Sequence, residues 1–361
     1  PPLGLVTELE EFESVPWTDL REIHAVGWDV AGNSHRTAEN LERTGVLPSD
    51  LVDLGASLRD RLELNLAPGI PEPEDEELAD PKARERLGLP AVEMVEALRG
   101  DIQSWRESQK FKRMVVVNLA TAERTREIPK GWDDSEGKPL ELLPSVPADF
   151  PRSLLYGMAA VAEGVPFVNF TPAMGAEVPA FAGWARREGV PVLGNDGKTG
   201  ETLMKSALAP MFRDRALRVL AWEGYNMLGN RDGAALEDPD RKARKVANKD
   251  GVLRGILGDQ GTHSGVSIDF VPSLHDWKTA MDFIHFEGFL GTKMQLQFTW
   301  QGSDSALAAP LVLDLARLAL LAKERGEGGP LTAAAAFFKN PAGTDEHDLH
   351  RQMTELRAWV R

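Results

Sequence analysis

Met114 to Ala120 reads MVVVNLA, a continuous β-branched run ending on an asparagine and two small steps. A run with no polar face belongs to a strand covered on both sides, as strands of parallel sheets are. Two shorter runs repeat the pattern, Val165 to Phe170 (VPFVNF) and Gly189 to Leu193 (GVPVL), with a helical-looking segment carrying Trp184 and Arg187 between them. Upstream, Glu22 to Val30 (EIHAVGWDV) reads as a strand ending in a turn, and the acidic, proline-bearing stretch Pro71 to Asp80 as a solvated loop. Strands alternating with helices at this spacing predict a doubly wound α/β sheet.

From about Arg218 the texture changes. Val219, Ala221 and Glu223, then Val266 to Val271, then Met294 to Trp300 read as strands of a second sheet, with a helix from Asp282 to Leu290 before the last of them. A long helix follows Ser305, and helical sequence runs on through Trp359. The expected division is a first lobe over 1–198, a second over 199–304, and C-terminal helices over 305–361 that return to the first.

Composition removes several classes of function. Hydrophobic residues make up 42% of the 361, with 24 prolines and 33 glycines, so a folded core is the default. Forty-one Lys and Arg stand against 56 Asp and Glu, a net charge of −15 that argues against nucleic acid or an anionic membrane as the main partner. An anionic substrate would need a local basic pocket. With no cysteine, disulfides, thiol nucleophiles and thiolate metal sites are excluded. The most apolar run, Ala306 to Ala322, is interrupted by Asp314 and Arg317 and reads as a core helix rather than a membrane span. No secretion signal is visible at the N-terminus, so the expected location is cytoplasmic. His24, His263, His275 and His285 form no metal-ligand spacing, and no metal site is expected.

The strongest local signal is Gly194 to Thr202 (GNDGKTGET), placed after a buried strand and before an apolar helical run. Its glycines would let backbone amides approach a ligand, the following helix offers its positive end, and Lys198 adds a mobile cation. On spacing alone a capped glycine-rich turn explains it equally well. Tyr225 to Gly233 (YNMLGNRDG) reads as a strand end followed by a turn. Asp238-Pro239 reads as a helix start, and Asp240 to Lys249 as the helix, which places Lys245 and Lys249 four apart on one face. Two such ammoniums repel by roughly a few tenths of a kcal/mol. A solvated basic face is the bland explanation; a phosphate held between them would reverse the repulsion. Lys278 reads as lying at a strand-to-helix junction, and Lys339, in FFKNP, as half-buried, which is unusual for a lysine unless it is paired or functional.

Taken together, LGNRDG (Leu228 to Gly233), GNDGKTGETLMKS (from Gly194), DWKTAMDFIHFEGFLG (from Asp276) and QFTWQGSDSALAAPLVLDL (from Gln297) resemble the myo-inositol-1-phosphate synthase family, particularly its bacterial and archaeal-like branch, in composition and order. The likeness runs from about Gly27 to the C-terminus. It implies a Rossmann-type NAD-binding domain interrupted by a mixed α/β catalytic and oligomerisation domain, in a homotetramer. The family's first strand and glycine-rich dinucleotide loop do not occur in these residues and are expected before Pro1. The resemblance further implies that Asp196 and Asp232 are acidic active-site residues, that Lys245 and Lys249 are paired lysines of a catalytic helix, and that Lys278 and Lys339 surround a sugar phosphate. On the cofactor side it implies that Asp29, Ala120, Thr121, Asn169, Thr171, Pro172, Asp196 and Lys198 line NAD.

The implied reaction oxidises open-chain glucose 6-phosphate at C5 with NAD, enolises the neighbouring C6, closes C6 onto the C1 aldehyde and reduces C5 again, giving 1L-myo-inositol 1-phosphate with no net use of NAD. Negative oxygen develops at each stage, and fixed ammonium groups in a dry site stabilise it best. In this scheme Lys245 and Lys339 serve the C5 oxygen, with Lys245 as the proton shuttle, Lys278 the oxyanion at C1, and Lys249 the phosphate. Whether a cation assists is left open. Two other readings compete: an NAD-dependent sugar-phosphate dehydrogenase that releases reduced cofactor, and a catalytically silent Rossmann-like binding protein.

Overall fold

The computed structural model describes residues 3–31, 42–57, 60, 65–120, 123–124, 126–230, 233–234, 251–258 and 261–361. Three sheets organise them. β1 (Gly27–Asp29) and β2 (Leu66–Pro68) form a two-stranded parallel pair. β3 (Val116–Asn118), β4 (Phe167–Asn169), β5 (Pro191–Leu193) and β10 (Gly329–Pro330) form a parallel sheet in the order β10-β5-β4-β3. β6 (Arg218–Leu228), β7 (His263–Phe270), β8 (Trp277–Glu287) and β9 (Lys293–Ser303) form a mixed sheet in the order β7-β6-β8-β9, with only the β6–β7 pair parallel.

The central parallel sheet is covered on both faces because its strands carry apolar residues at consecutive positions. Val116, Phe167 and Val192 pack into one core with α1 (Ala91–Gln109), α2 (Arg152–Ala162) and α3 (Pro179–Arg187). Val117, Val168 and Leu193, one residue on in each strand, face the opposite core, built from the later helices and the N-terminal Phe12. Successive side chains of a strand point to opposite faces, so each valine pair feeds both layers. The two-stranded pair is tied to the first core by Trp28, whose ring lies 4.8 Å from Trp105 and 5.1 Å from Tyr156, and by the Tyr156 hydroxyl, which accepts from the Ile70 amide at 2.7 Å.

After β5 the chain enters α4 (Glu201–Asp214), which covers the mixed sheet; Phe212 and Ala209 pack there with Trp222, Val219 and Ile284. Residues 251–257 are helical and close the same core. α5 (Asp304–Glu324) starts at Ser303, whose hydroxyl accepts from the Ala306 amide at 3.2 Å, and runs back over β4 and β5. By length and composition α5 could cross a membrane, but Leu315, Leu318, Ala319 and Ala322 are sheet core, which accounts for its hydropathy. Its two interrupting charges are buried. Asp314 accepts from the Val6 and Thr7 amides and the Thr7 hydroxyl at 2.8, 2.9 and 2.7 Å, and Arg317 donates to Thr18, Thr7 and Glu8. α6 (Leu349–Val360), capped by Asp348, ends the chain against that core.

Four sequence readings are corrected. Asp282 to Leu290 is not a helix: residues up to Glu287 are β8, whose buried side chains are Lys278, Ala280, Asp282 and Ile284. Two charged residues on the covered face hide the apolar alternation that marks a strand. Lys278 accordingly stands inside β8, after a short 3-10 turn at Pro272–Leu274, and not at a strand-to-helix junction. Pro71 to Asp80 is not simply solvated, since Glu72 is buried and paired with Arg126 at 2.9 Å and Pro73–Leu78 form a 3-10 turn. Of Glu22 to Val30 only Gly27–Asp29 is strand. The expected helix over 240–249 lies outside the described residues.

Candidate active site

The crevice at the C-terminal ends of the central strands is where open parallel sheets hold ligands, because loops diverge there and backbone groups lack strand partners. Here β3 and β4 each deliver an amide side chain to that edge, and the segment after β5 adds a third, Asn195. Asn118 ends β3 and Asn169 ends β4; the Asn118 amide donates to Asn169 Oδ1 at 3.1 Å, and Asn169 Nδ2 donates to the Ala173 carbonyl and to Asn195 Oδ1 at 2.7 and 3.0 Å. Thr171 donates to Asn169 Oδ1 at 2.9 Å, and Asn195 donates to Glu177. The Ala120 amide donates to Asn118 Oδ1 at 3.1 Å, so this turn too hangs on the network. Pro172 is buried in the following loop. Asp29 ends β1, in the neighbouring two-stranded pair, and accepts from the Ala31 amide at 3.1 Å. Thr121 lies outside the described residues.

The segment after β5 is held in a fixed course by the chain that follows β10. Asn195 and Asn340 exchange backbone hydrogen bonds at 2.6 and 3.1 Å, Ala342 donates to the Gly194 carbonyl, and Lys198 donates to Phe337. β10 pairs with β5, which is what brings the Phe337 to Asn340 stretch alongside. Gly197 packs so closely on the ring of Phe170 that a Cβ would overlap it. Asp196 takes a left-handed conformation, φ 65°, which turns its carboxylate toward Lys339. The Lys339 ammonium donates to Asp196 Oδ1 at 2.6 Å, while the Lys339 amide donates to the Asp196 carbonyl at 2.7 Å. Both side chains are buried, with the residues 8% and 3% exposed.

The same segment reaches the second sheet. Thr199 donates to Asp304 Oδ1 at 3.3 Å, and Asp304 Oδ2 pairs with the Lys278 ammonium at 3.4 Å. Lys278 is placed by its strand: it stands opposite Leu228 on β6, immediately before the Gly229 turn, and Gly229 packs against the His275 backbone too closely for any side chain. Asn230 closes that turn by accepting from the Gly233 amide at 3.0 Å. The structure therefore ties two sequence-predicted lysines, 339 and 278, to one loop, through Asp196 and through Thr199 and Asp304. Asp232, Lys245 and Lys249 lie outside the described residues.

Lys198, expected to line the cofactor, is buried beside the C-terminal helix. Its ammonium donates to Gln352 Oε1 on α6 at 2.8 Å. Burial, and then the neighbouring Lys339 charge, push its amine down from 10.5 to about 7. His347, just before α6, is pushed down as well, by burial and then by Lys198. Asp304 is the residue that sequence reading overlooked. As the first residue of an apolar helix it reads as an ordinary helix-start carboxylate; its position in GSDSALAAP was the one available signal. Among the described residues no group of three or more His, Cys, Asp or Glu is arranged to hold a metal ion.

The residues at the strand ends fit one end of a dinucleotide. Their polar groups are side-chain amides and hydroxyls, suited to a carboxamide and ribose hydroxyls, and Gly175 lets the loop pack directly on them, since a Cβ there would stand 2.8 Å from Asn169 and 2.9 Å from Asn195. An ammonium held on a carboxylate, as at Lys339, can donate to a sugar oxygen and offset negative charge developing on it.

Comparison with known proteins gives one consistent answer. The profile of an NAD-binding family described as myo-inositol-1-phosphate synthase matches residues 7–361. Inositol-3-phosphate synthase 1 of Bacteroides thetaiotaomicron is 33% identical over 390 aligned positions, covering 100% of this chain and 88% of that protein. Inositol-3-phosphate synthase 1 of Oryza sativa subsp. japonica is 32% identical, and there the match covers 85% of this chain but only 61% of the plant protein. Among solved structures, inositol-3-phosphate synthase from Caenorhabditis elegans superposes with a TM-score of 0.79 at 25% identity, over 96% of this chain and 71% of that one.

Proposed function

The chain belongs to the myo-inositol-1-phosphate synthase family, and from that premise we propose that it cyclises glucose 6-phosphate to 1L-myo-inositol 1-phosphate. The observation that carries the reading is the pairing of two buried lysines with carboxylates at a single loop, Lys339 with Asp196 and Lys278 with Asp304. NAD, when bound at the strand ends, supplies reversible hydride exchange at C5. The protein's own groups do the rest. Lys339, its ammonium held by Asp196, donates to the C5 oxygen and offsets the negative charge that develops there, while Lys245, as a free amine, takes the C5 hydroxyl proton and returns it. Lys278, held by Asp304, stabilises the oxyanion that forms when C6 closes on C1. Lys245 and Lys249 are assigned the C5 oxygen and the phosphate on the strength of the family resemblance, with Asp232 orienting them.

Burial of the pairs matters because charge stabilisation grows as water is excluded. The net charge of −15 makes such a local concentration of cations the natural receptor for a monoester. The division into an NAD-binding domain over 1–198, a catalytic and oligomerisation domain over 199–304 and returning helices over 305–361 belongs to the same reading, as do a homotetramer and a cytoplasmic location.

Incubation of the protein with NAD and glucose 6-phosphate should yield inositol phosphate, identified by phosphorus and proton NMR, with no net absorbance gain at 340 nm (a nicotinamide property). Stoichiometric NADH with an oxidised sugar phosphate would instead make the protein a dehydrogenase. Lys339→Met should lower turnover by about a hundredfold or more, since it removes the fixed positive charge that faces the developing oxyanion. Near-normal turnover in that variant would overturn the assignment.

A further inference from the structure

One lysine has no part in the chemistry above and yet is completely buried. Lys205, on α4, has a side chain 0% exposed and pairs with Glu201, also 0% exposed, at 2.7 Å. The pair lies over Gly224 of β6, where a Cβ would stand 2.6 Å from the Glu201 carboxylate, 3.3 Å from the Lys205 ammonium and 3.4 Å from Asp282 Oδ1. Gly224 is directly opposite Asp282 in the β6–β8 pairing, and Asp282 Oδ1 accepts from the buried Trp222 indole at 2.7 Å. Glycine thus opens a slot in the sheet, and three charged side chains from two layers fill it.

A desolvated ion pair is weak evidence for stability, because the cost of removing charges from water offsets their attraction. What it does well is distinguish one alignment from another, since a slipped alignment leaves a bare charge in the core. Alignment is what the neighbouring site requires. Lys278 and Asp282 lie on one face of β8, four residues and about 13 Å apart. Glu201 begins α4 immediately after the loop that carries Asp196 and Thr199. Lys278 is held to Asp304 by the β8–β9 pairing, where it stands opposite Gly302, so the helix-to-strand register at Asp282 bears on how far Lys278 and Asp304 together stand from that loop.

We propose that Glu201, Lys205 and Asp282 are positioning residues, a buried charged lock that sets α4 against β8 and so aligns Lys278 with the Gly194–Gly200 loop. The proposal rests on the cyclase reading for its consequence in turnover, but the alignment itself is a property of the protein alone.

The test is the triple substitution Glu201→Met, Lys205→Met and Asp282→Asn, which removes the charges together and leaves the Trp222 indole an acceptor. Thermal stability should be unchanged or higher, as when buried ion pairs are replaced by apolar groups. Turnover of glucose 6-phosphate should fall by about tenfold to a hundredfold with KM changed by no more than about twofold, the signature of a misplaced catalytic group. In the absence of any substrate, amide hydrogen exchange should quicken in the 194–200 loop and in 277–282. Unchanged exchange in both segments, unchanged turnover, or loss of the fold would each overturn the proposal, the last because the lock would then be holding the fold rather than its register. Failure of the unmutated protein to form inositol phosphate would count against the cyclase reading, and the exchange measurement would still decide the register.

Discussion

Lys198 shows how much a single side chain's surroundings decide. Its folded amine lies near 7 and its ordinary value is 10.5, so between those values the unfolded chain binds a proton that the folded chain does not. Stability from this group therefore rises with pH across that window and is lowest below about 7, where the folded protein must hold a buried charge beside Lys339. Lys198→Met should accordingly gain stability relative to the unmutated protein most strongly below about pH 7 and lose that advantage toward pH 10; urea unfolding across that range would show it, and a pH-independent difference would refute it. Gly197→Ala should cost about 1–3 kcal/mol, because the methyl must displace the Phe170 ring, and should reduce turnover further by shifting Asp196; calorimetry and steady-state kinetics separate the two effects. Lys278, Lys339 and Asp196 were legible in the sequence because they stand in distinctive strings. Glu201 and Lys205 were not, because a Glu and a Lys four apart on a helix read as a solvated surface pair. Only the fold reveals that a glycine on the facing strand draws them inside.

Elements were legible where their patterning was apolar and illegible where function had altered it. β3, β4 and β5 are covered on both faces, and their unbroken aliphatic runs say so. β8 places Lys278 and Asp282 on its covered face, inverting the alternation, and that is why its second half read as a helix. α5 is the converse case, a helix whose apolar run was correctly read but whose internal charges were harder to explain. Asp314 meets the otherwise unpaired amides of Val6 and Thr7, so the carboxylate clasps the N-terminal segment to the helix. Asp314→Leu leaves three donors, the Val6 and Thr7 amides and the Thr7 hydroxyl, without their acceptor, at about 1–3 kcal/mol for each that stays buried. Residues 5–18, which hold Phe12 and Trp17 but no lysine or arginine, should then be cut by chymotrypsin at early times while the rest of the chain resists; equal protection in both proteins would show that the clasp is dispensable.

At the scale of the molecule, the decisive fact is that neither sheet holds the site alone. The parallel sheet contributes its strand ends, Asp196 and, through β10, Lys339; the mixed sheet contributes Lys278; and α5, which begins at Asp304, spans the two. The loop after β5 joins them with short contacts on both sides. A ligand seated there touches both sheets only when they are mutually aligned, so it binds the native arrangement and no partly opened form. Binding of that kind adds RT ln(1 + [L]/Kd) to the stability of the whole linked unit, about 2.7 kcal/mol at a hundredfold excess over Kd. NAD together with a non-reactive glucose 6-phosphate analogue, such as the reduced open-chain hexitol phosphate, should therefore raise the thermal midpoint of a single calorimetric transition. Were the sheets independent, the same ligands would split the trace, moving one transition and leaving the other in place.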